Sequence, residues 1–143
     1  MIRVITENVF WRTHGLLLAR LIMGGIFLMA AYMKFSDIDS TALYITSVGF
    51  PLPKLLTWLA AIFELVLGLC IVVGVFFRGA SLLLSAYVIF LAFAFHGPSL
   101  WNYNPNEFGF FVDHFVMIAG FLFMIAHGPG KTWTLKNLGI KLD

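Results

Sequence analysis

Arg20, Glu64 and Tyr87 are polar groups set inside long apolar runs, and His96, Asp113 and His114 stand near the ends of such runs. In hydrocarbon an ionisable side chain costs between about 2.5 and 17 kcal/mol, so each of these residues needs a partner or a function. Ala60, Glu64 and Gly68 recur at four-residue steps, a small-residue stripe that turns the carboxyl toward a neighbouring helix. At about 1.5 Å rise per residue, Arg20 and Glu64 differ in depth by about 10 Å, within the joint reach of the two side chains. The expected polar centre is therefore an Arg20–Glu64 ion pair, joined by the Tyr87 hydroxyl. Such a pair either fixes helix register or borders a cavity for a polar-headed ligand such as a quinone. In the second case Glu64 relays a proton, its carboxyl raised by burial and lowered again by the arginine. Glu64 and Arg20 are then the candidate catalytic residues, and Arg20, Glu64, Tyr87, His96 and His114 the candidate cofactor contacts.

The histidines fall in two pairs, His96 with His114 near one membrane surface and His14 with His127 near the other. Matching depth on different helices is the minimum for a bis-histidine haem or a metal site. All of them lie near helix ends, where a hydrated histidine is ordinary, so the pattern argues against haem and assigns no metal ligand. Cys70 is the one cysteine and cannot form a dithiol within the chain. Phosphate-binding glycine loops, metalloprotease helices and serine nucleophile elbows are missing from the sequence. The run His127-Gly128-Pro129-Gly130-Lys131 reads as a helix end, with Gly128 as the cap.

The elements that must position these groups follow from composition. The chain has 143 residues, 61% hydrophobic and 11% charged, with sixteen Phe, whereas soluble domains carry about 25% charged residues. That excludes a water-soluble globule, a disordered tail and a disulfide scaffold, and a net charge of +2 gives no argument for nucleic acid. An all-α integral membrane protein remains, a four-helix transmembrane bundle in one domain over residues 1–143 that contacts the lipid bilayer. Spans of about 20 apolar residues are expected at about 15–35, 55–77, 79–96 and 108–126. The first ends without a small-residue cleavage pattern and reads as a retained span.

Arg78 and Gly79 form the expected tight turn between the second and third spans. Residues 36–54 hold a short interfacial helix with Ser40 as its N-cap, ended by Pro51 and Pro53. Residues 97–107 form a turn-rich loop with Trp101 and Tyr103 at the interface. On the third span Ser81, Ser85, Ala92 and His96 share a stripe, read as helix packing. On the fourth, Asp113, Met117, Gly120, Met124 and His127 share a face, with Gly120 marking a helix contact. Arg3, Arg12, Arg78, Lys131, Lys136 and Lys141 fall on the side of the termini, with Arg20 just inside, against Lys34 and Lys54 opposite. The positive-inside rule then puts both termini in the cytoplasm and both long loops outside.

The order of fragments resembles the DoxX family of small membrane proteins from about residue 16 to 135. They are Leu18-Ala19-Arg20-Leu21-Ile22-Met23-Gly24, Tyr32-Met33-Lys34-Phe35, Gly49-Phe50-Pro51-Leu52-Pro53, Trp58-Leu59-Ala60-Ala61-Ile62-Phe63-Glu64-Leu65, Gly74-Val75-Phe76-Phe77-Arg78-Gly79-Ala80 and Gly128-Pro129-Gly130-Lys131. The resemblance implies a four-helix membrane protein that serves as a subunit or partner of an oxidoreductase. Founding members resemble a thiosulfate:quinone oxidoreductase component, and others are linked to redox-stress complexes. The expected function is a subunit of quinone-coupled oxidoreductase activity in the bacterial inner membrane. The alternatives are a non-catalytic accessory or assembly subunit of a larger respiratory or redox complex, and, third, a small transporter, which the lack of visible repeats or broken spans disfavours.

The charge asymmetry makes a direct prediction. Fused at the C-terminus, a fluorescent protein that folds only in the cytoplasm lights up and alkaline phosphatase stays inactive; an active phosphatase reverses the topology.

Overall fold

Buried positions at three- and four-residue steps along each long helix build the bundle. The computed structural model describes residues 10–134, less the side chain of Arg12; Arg3, Lys136 and Lys141 lie outside the described residues. In α1 (Leu16–Ser36), entered through a π-helical turn at Trp11–Gly15, the buried stripe is Arg20, Gly24, Phe27 and Ala31. In α3 (Pro53–Val73) it is Thr57, Ala61, Glu64, Leu67, Gly68 and Ile71. Between them runs the short α2 (Ile38–Ser47), and α4 (Phe77–His96) and α5 (Asn106–His127) complete the chain. Four helices are long and apolar enough to cross a membrane: Thr13–Ser36, Pro53–Val73, Phe77–Leu100 and Asn106–His127. Most of their large apolar side chains face outward, as lipid-facing surfaces require.

The tightest crossing joins α1 to α3. A Cβ built on Gly24 would stand 2.9 Å from the Gly68 carbonyl oxygen and 2.5 Å from a Val72 methyl. Small residues there let the two backbones meet, which in lipid replaces the missing hydrophobic drive with close packing. Phe27, Leu67, Ile71, Phe77, Leu84, Val88, Phe121 and Met124 form the shared core across α1, α3, α4 and α5. Ser81 and Ser85 are buried in the bundle, and the Ser81 hydroxyl donates to the Phe77 carbonyl of its own helix. Gly120 faces the Met23 side chain rather than a backbone.

Two expected boundaries move. α3 stops at Val73, where Gly74 takes a left-handed C-cap conformation (φ 78°), so the turn is 74–76 and Arg78 with Gly79 already belong to α4. Hydropathy runs unbroken through Val75-Phe76-Phe77 and hides that stop. The cap of α2 is Asp37, whose Oδ1 accepts from the Ser40 amide at 2.9 Å. Ser40 therefore sits at the third helical position, where a cap's acceptor finds its donor. Gly128 caps α5 as expected, its amide donating to the Met124 carbonyl.

Gly24→Leu forces apart the α1–α3 crossing and costs about 1–3 kcal/mol, as overpacking does. Gly25→Ala, whose added Cβ meets nothing within 4 Å, serves as control and leaves the melting temperature in mild detergent unchanged or higher. Equal destabilisation by both substitutions would contradict the crossing.

Candidate functional site

The expected Arg20–Glu64 pair does not form; each charge has other partners. Arg20 is 1% exposed and sits at the end of the bundle where α3 stops. Its Nη1 donates to the carbonyl oxygens of Pro129 (3.0 Å) and Thr132 (2.9 Å), and its Nη2 to those of Val72 (2.7 Å) and Trp133 (2.9 Å). Among the described residues its buried Nε has no hydrogen-bond partner. Carbonyl dipoles, including one from the last turn of α3, do the work of a counter-ion, because the C-terminal end of a helix carries partial negative charge. The segment after α5 thus points its carbonyl oxygens at a cation.

Glu64, 2% exposed, accepts from Lys34 Nζ at Oε2 and from the Tyr87 hydroxyl at Oε1, both at 2.8 Å. Helix direction explains the exchange of partners. Taking the Gly24–Gly68 crossing as the common level, Arg20 and Glu64 lie about 6 Å to either side of it, and Lys34 about 15 Å out on the Glu64 side. Side chains lean toward the N-terminus of their own helix. In antiparallel α1 and α3, Lys34 therefore leans inward and Glu64 outward, so they converge, while Arg20 leans away. Lys34 continues the buried stripe 20-24-27-31-34 of α1. That spacing was the available signal for the site residue missed in the sequence, where Lys34 reads as a topology marker.

Lys34 and Tyr87 lie in the wall of a cavity of about 670 Å³. Phe63, Phe90, Phe95 and Phe50 give it aromatic sides, with the Phe63 and Tyr87 ring centroids 5.1 Å apart and Phe50 stacked on Phe95 at 5.6 Å. α2 closes one flank through Tyr44, whose ring packs on Phe95. Burial, and secondarily the negative charge of Glu107, push the Tyr44 hydroxyl up from its ordinary pKa.

His96 and His114 also line this cavity, with ring centroids 5.0 Å apart. His96 Nδ1 lies 2.6 Å from Glu107 Oε2, and Asn104 Nδ2 donates to the other carboxylate oxygen at 3.1 Å. The Trp101 indole donates to the His96 carbonyl, which ties the 97–105 loop to the end of α4. His114 Nδ1 lies 2.6 Å from the Phe110 carbonyl oxygen, so its proton stays on Nδ1 and Nε2 is left as the acceptor. The structure thus gathers Tyr87, His96 and His114 around one cavity, adds Lys34 to its wall, sets Glu64 behind Lys34 and Tyr87, and leaves Arg20 outside it. Asp113 is exposed on α5. No group of three or more His, Cys, Asp or Glu with metal-site geometry occurs among the described residues.

Arg20→Met strands the carbonyl cluster and costs about 3–5 kcal/mol, the range for removing one member of a buried charged network. Arg20→Lys recovers part of this, since an ammonium lacks the planar fork. Melting in mild detergent measures the loss, and faster tryptic cleavage after Lys131 reports release of the loop. Unchanged melting and cleavage would contradict the assignment.

The DoxX family model matches residues 15–97. Inner membrane protein YphA of Escherichia coli (strain K12) is 33% identical over 121 residues, 80% of this chain and 84% of that protein. Inner membrane protein YqjF of the same organism is 28% identical over 116 residues, 81% of this chain and 85% of that protein. No solved structure matches the chain at a significant level. With its four apolar spans the chain is a multi-pass protein of the inner membrane, in contact with the lipid bilayer. The matched segment carries α1, α2, α3 and α4, and with them Lys34, Glu64, Tyr87 and His96, and on that match the chain belongs to the DoxX family.

Proposed function

We propose that the chain is a membrane subunit of a quinone-coupled oxidoreductase and that its cavity receives the quinone ring. The observation that carries this reading is a buried carboxylate, bonded to an ammonium and a phenol, beneath an aromatic cavity of about 670 Å³. That volume suits a small-molecule ligand, for which pockets of about 300–1,000 Å³ are usual. Glu64 is nearly sealed behind its partners, so a ligand meets the Lys34 ammonium and the Tyr87 oxygen first. Lys34 keeps donors to spare and orients a carbonyl oxygen, and the Phe rings clamp a flat ring. A bound quinone supplies two-electron, two-proton chemistry. Tyr87 and Glu64 form the short hydrogen-bonded path along which a proton moves to or from that head group.

With Cys70 as its one cysteine, the chain has no dithiol of its own to deliver electrons. The reading therefore includes a partner oxidoreductase subunit as the other half of the reaction. Arg20, placed by sequence beside the ligand, has a structural part in this scheme: it closes the far end of the bundle.

Purification in mild detergent with lipid extraction tests the proposal. Quinone is expected to co-purify, and Lys34→Met and Glu64→Gln each to weaken binding of a short-chain quinone at least about tenfold. Quinone-free protein, or a Glu64→Gln variant that binds as the parent does, would overturn the reading.

A further inference from the structure

The cavity has polar groups at both ends and apolar material beyond only one of them. On the Arg20 side of Glu64 lie Phe27, Leu67, Ile71, Leu84 and Phe121, all buried and packed as one core. From Glu64 to Val72, where the Arg20 cluster begins, this plug is about 12 Å deep along α3. On the other side the cavity runs past Ser40 and Thr41 to His96 and His114. Along α4 the step from Tyr87 to His96 is about 13 Å, a gap that a file of a few waters spans, each needing about 30 Å³ of the cavity. We infer that the Lys34–Glu64–Tyr87 centre exchanges protons with the aqueous face at the α4–α5 loop, through His96 and His114, and not with the face at the Arg20 end.

The imidazoles are set for this. His114 donates from Nδ1 to the Phe110 carbonyl, and His96 Nδ1 faces the Glu107 carboxylate, so each ring keeps Nε2 as a proton acceptor. The charged and titratable groups around them are Glu107 and the exposed Asp113 on α5, Tyr44 on α2 and Lys34 on α1, and Asn104 fixes the second oxygen of Glu107. A proton taken from water at this end rests on one imidazole, passes through the cavity and arrives at the Glu64 carboxylate by way of Tyr87. The centre gains one proton and the water at that face loses one. The inference rests on the proposed ligand site for what consumes the proton, but not for the route.

Two measurements without quinone test the route. In proteoliposomes of known orientation, an infrared carboxyl band absent from Glu64→Gln is followed after an acid pulse on one side. The band should respond to a pulse at the α4–α5 loop face and not at the Arg20 face. Replacing both histidines by alanine should slow it about a hundredfold, with added imidazole restoring the rate, which lost structure would not allow. A response from the Arg20 face, or none from either, overturns the inference. Because that variant must fold to be informative, Ala60→Cys in a Cys70→Ala background gives a second reading. A membrane-impermeant charged thiol reagent should modify it from the loop face alone, and modification from the other face equally overturns the route. Failure of quinone binding with one-sided exchange intact would sink the ligand proposal only.

Discussion

A carboxylate in the middle of a bilayer must be neutralised where it stands, and the arrangement of α1, α3 and α4 around Glu64 answers that constraint. Lys34 reaches it from α1 and Tyr87 from α4, each at 2.8 Å. These bonds need α1 and α3 in one register, which the Gly24–Gly68 contact provides. They also need α4 antiparallel and adjacent to α3, which the 74–76 turn provides. A buried ion pair is poor evidence of net stability, since its desolvation offsets its attraction. Its presence at the floor of a cavity is better explained as a chemical feature that the fold tolerates.

The second buried charge is handled by different means. Arg20 has carbonyl oxygens where Glu64 has ionic and phenolic partners, and so it binds the 129–133 segment to the end of α3. Between Glu64 and the Arg20 cluster the bundle is packed with apolar side chains, and on the other side of Glu64 it holds a cavity with polar groups in its wall. This polarity, more than the identity of any one side chain, is what makes the cavity a candidate site with a defined side.

Much of this was legible from residue order. Spans were visible because apolar runs of membrane length are rare in other proteins, and the Ala60-Glu64-Gly68 stripe correctly turned the carboxylate inward. Tyr87 was paired with Glu64 because an apolar run leaves a phenol few choices. The error lay in pairing Glu64 by depth alone. Depth made Arg20 a reasonable partner, but side-chain lean along antiparallel helices decides between it and Lys34. The Arg20 cluster was illegible because its acceptors are backbone oxygens, which every residue owns. The cavity was illegible too, since empty space is set by how helices splay and not by which residues they carry. Family membership fixes the architecture and the membrane, while the chemistry rests on the site's own geometry.

The claim on which the rest depends is that Glu64 is coupled to Lys34 and Tyr87 and not to Arg20. Double-mutant cycles on stability in mild detergent measure this directly, with methionine at positions 34 and 20, phenylalanine at 87 and glutamine at 64. Coupling of about 1–3 kcal/mol is predicted for Lys34 with Glu64, and additivity within about 0.5 kcal/mol for Arg20 with Glu64. Strong coupling of Arg20 to Glu64, with none for Lys34, would contradict the account.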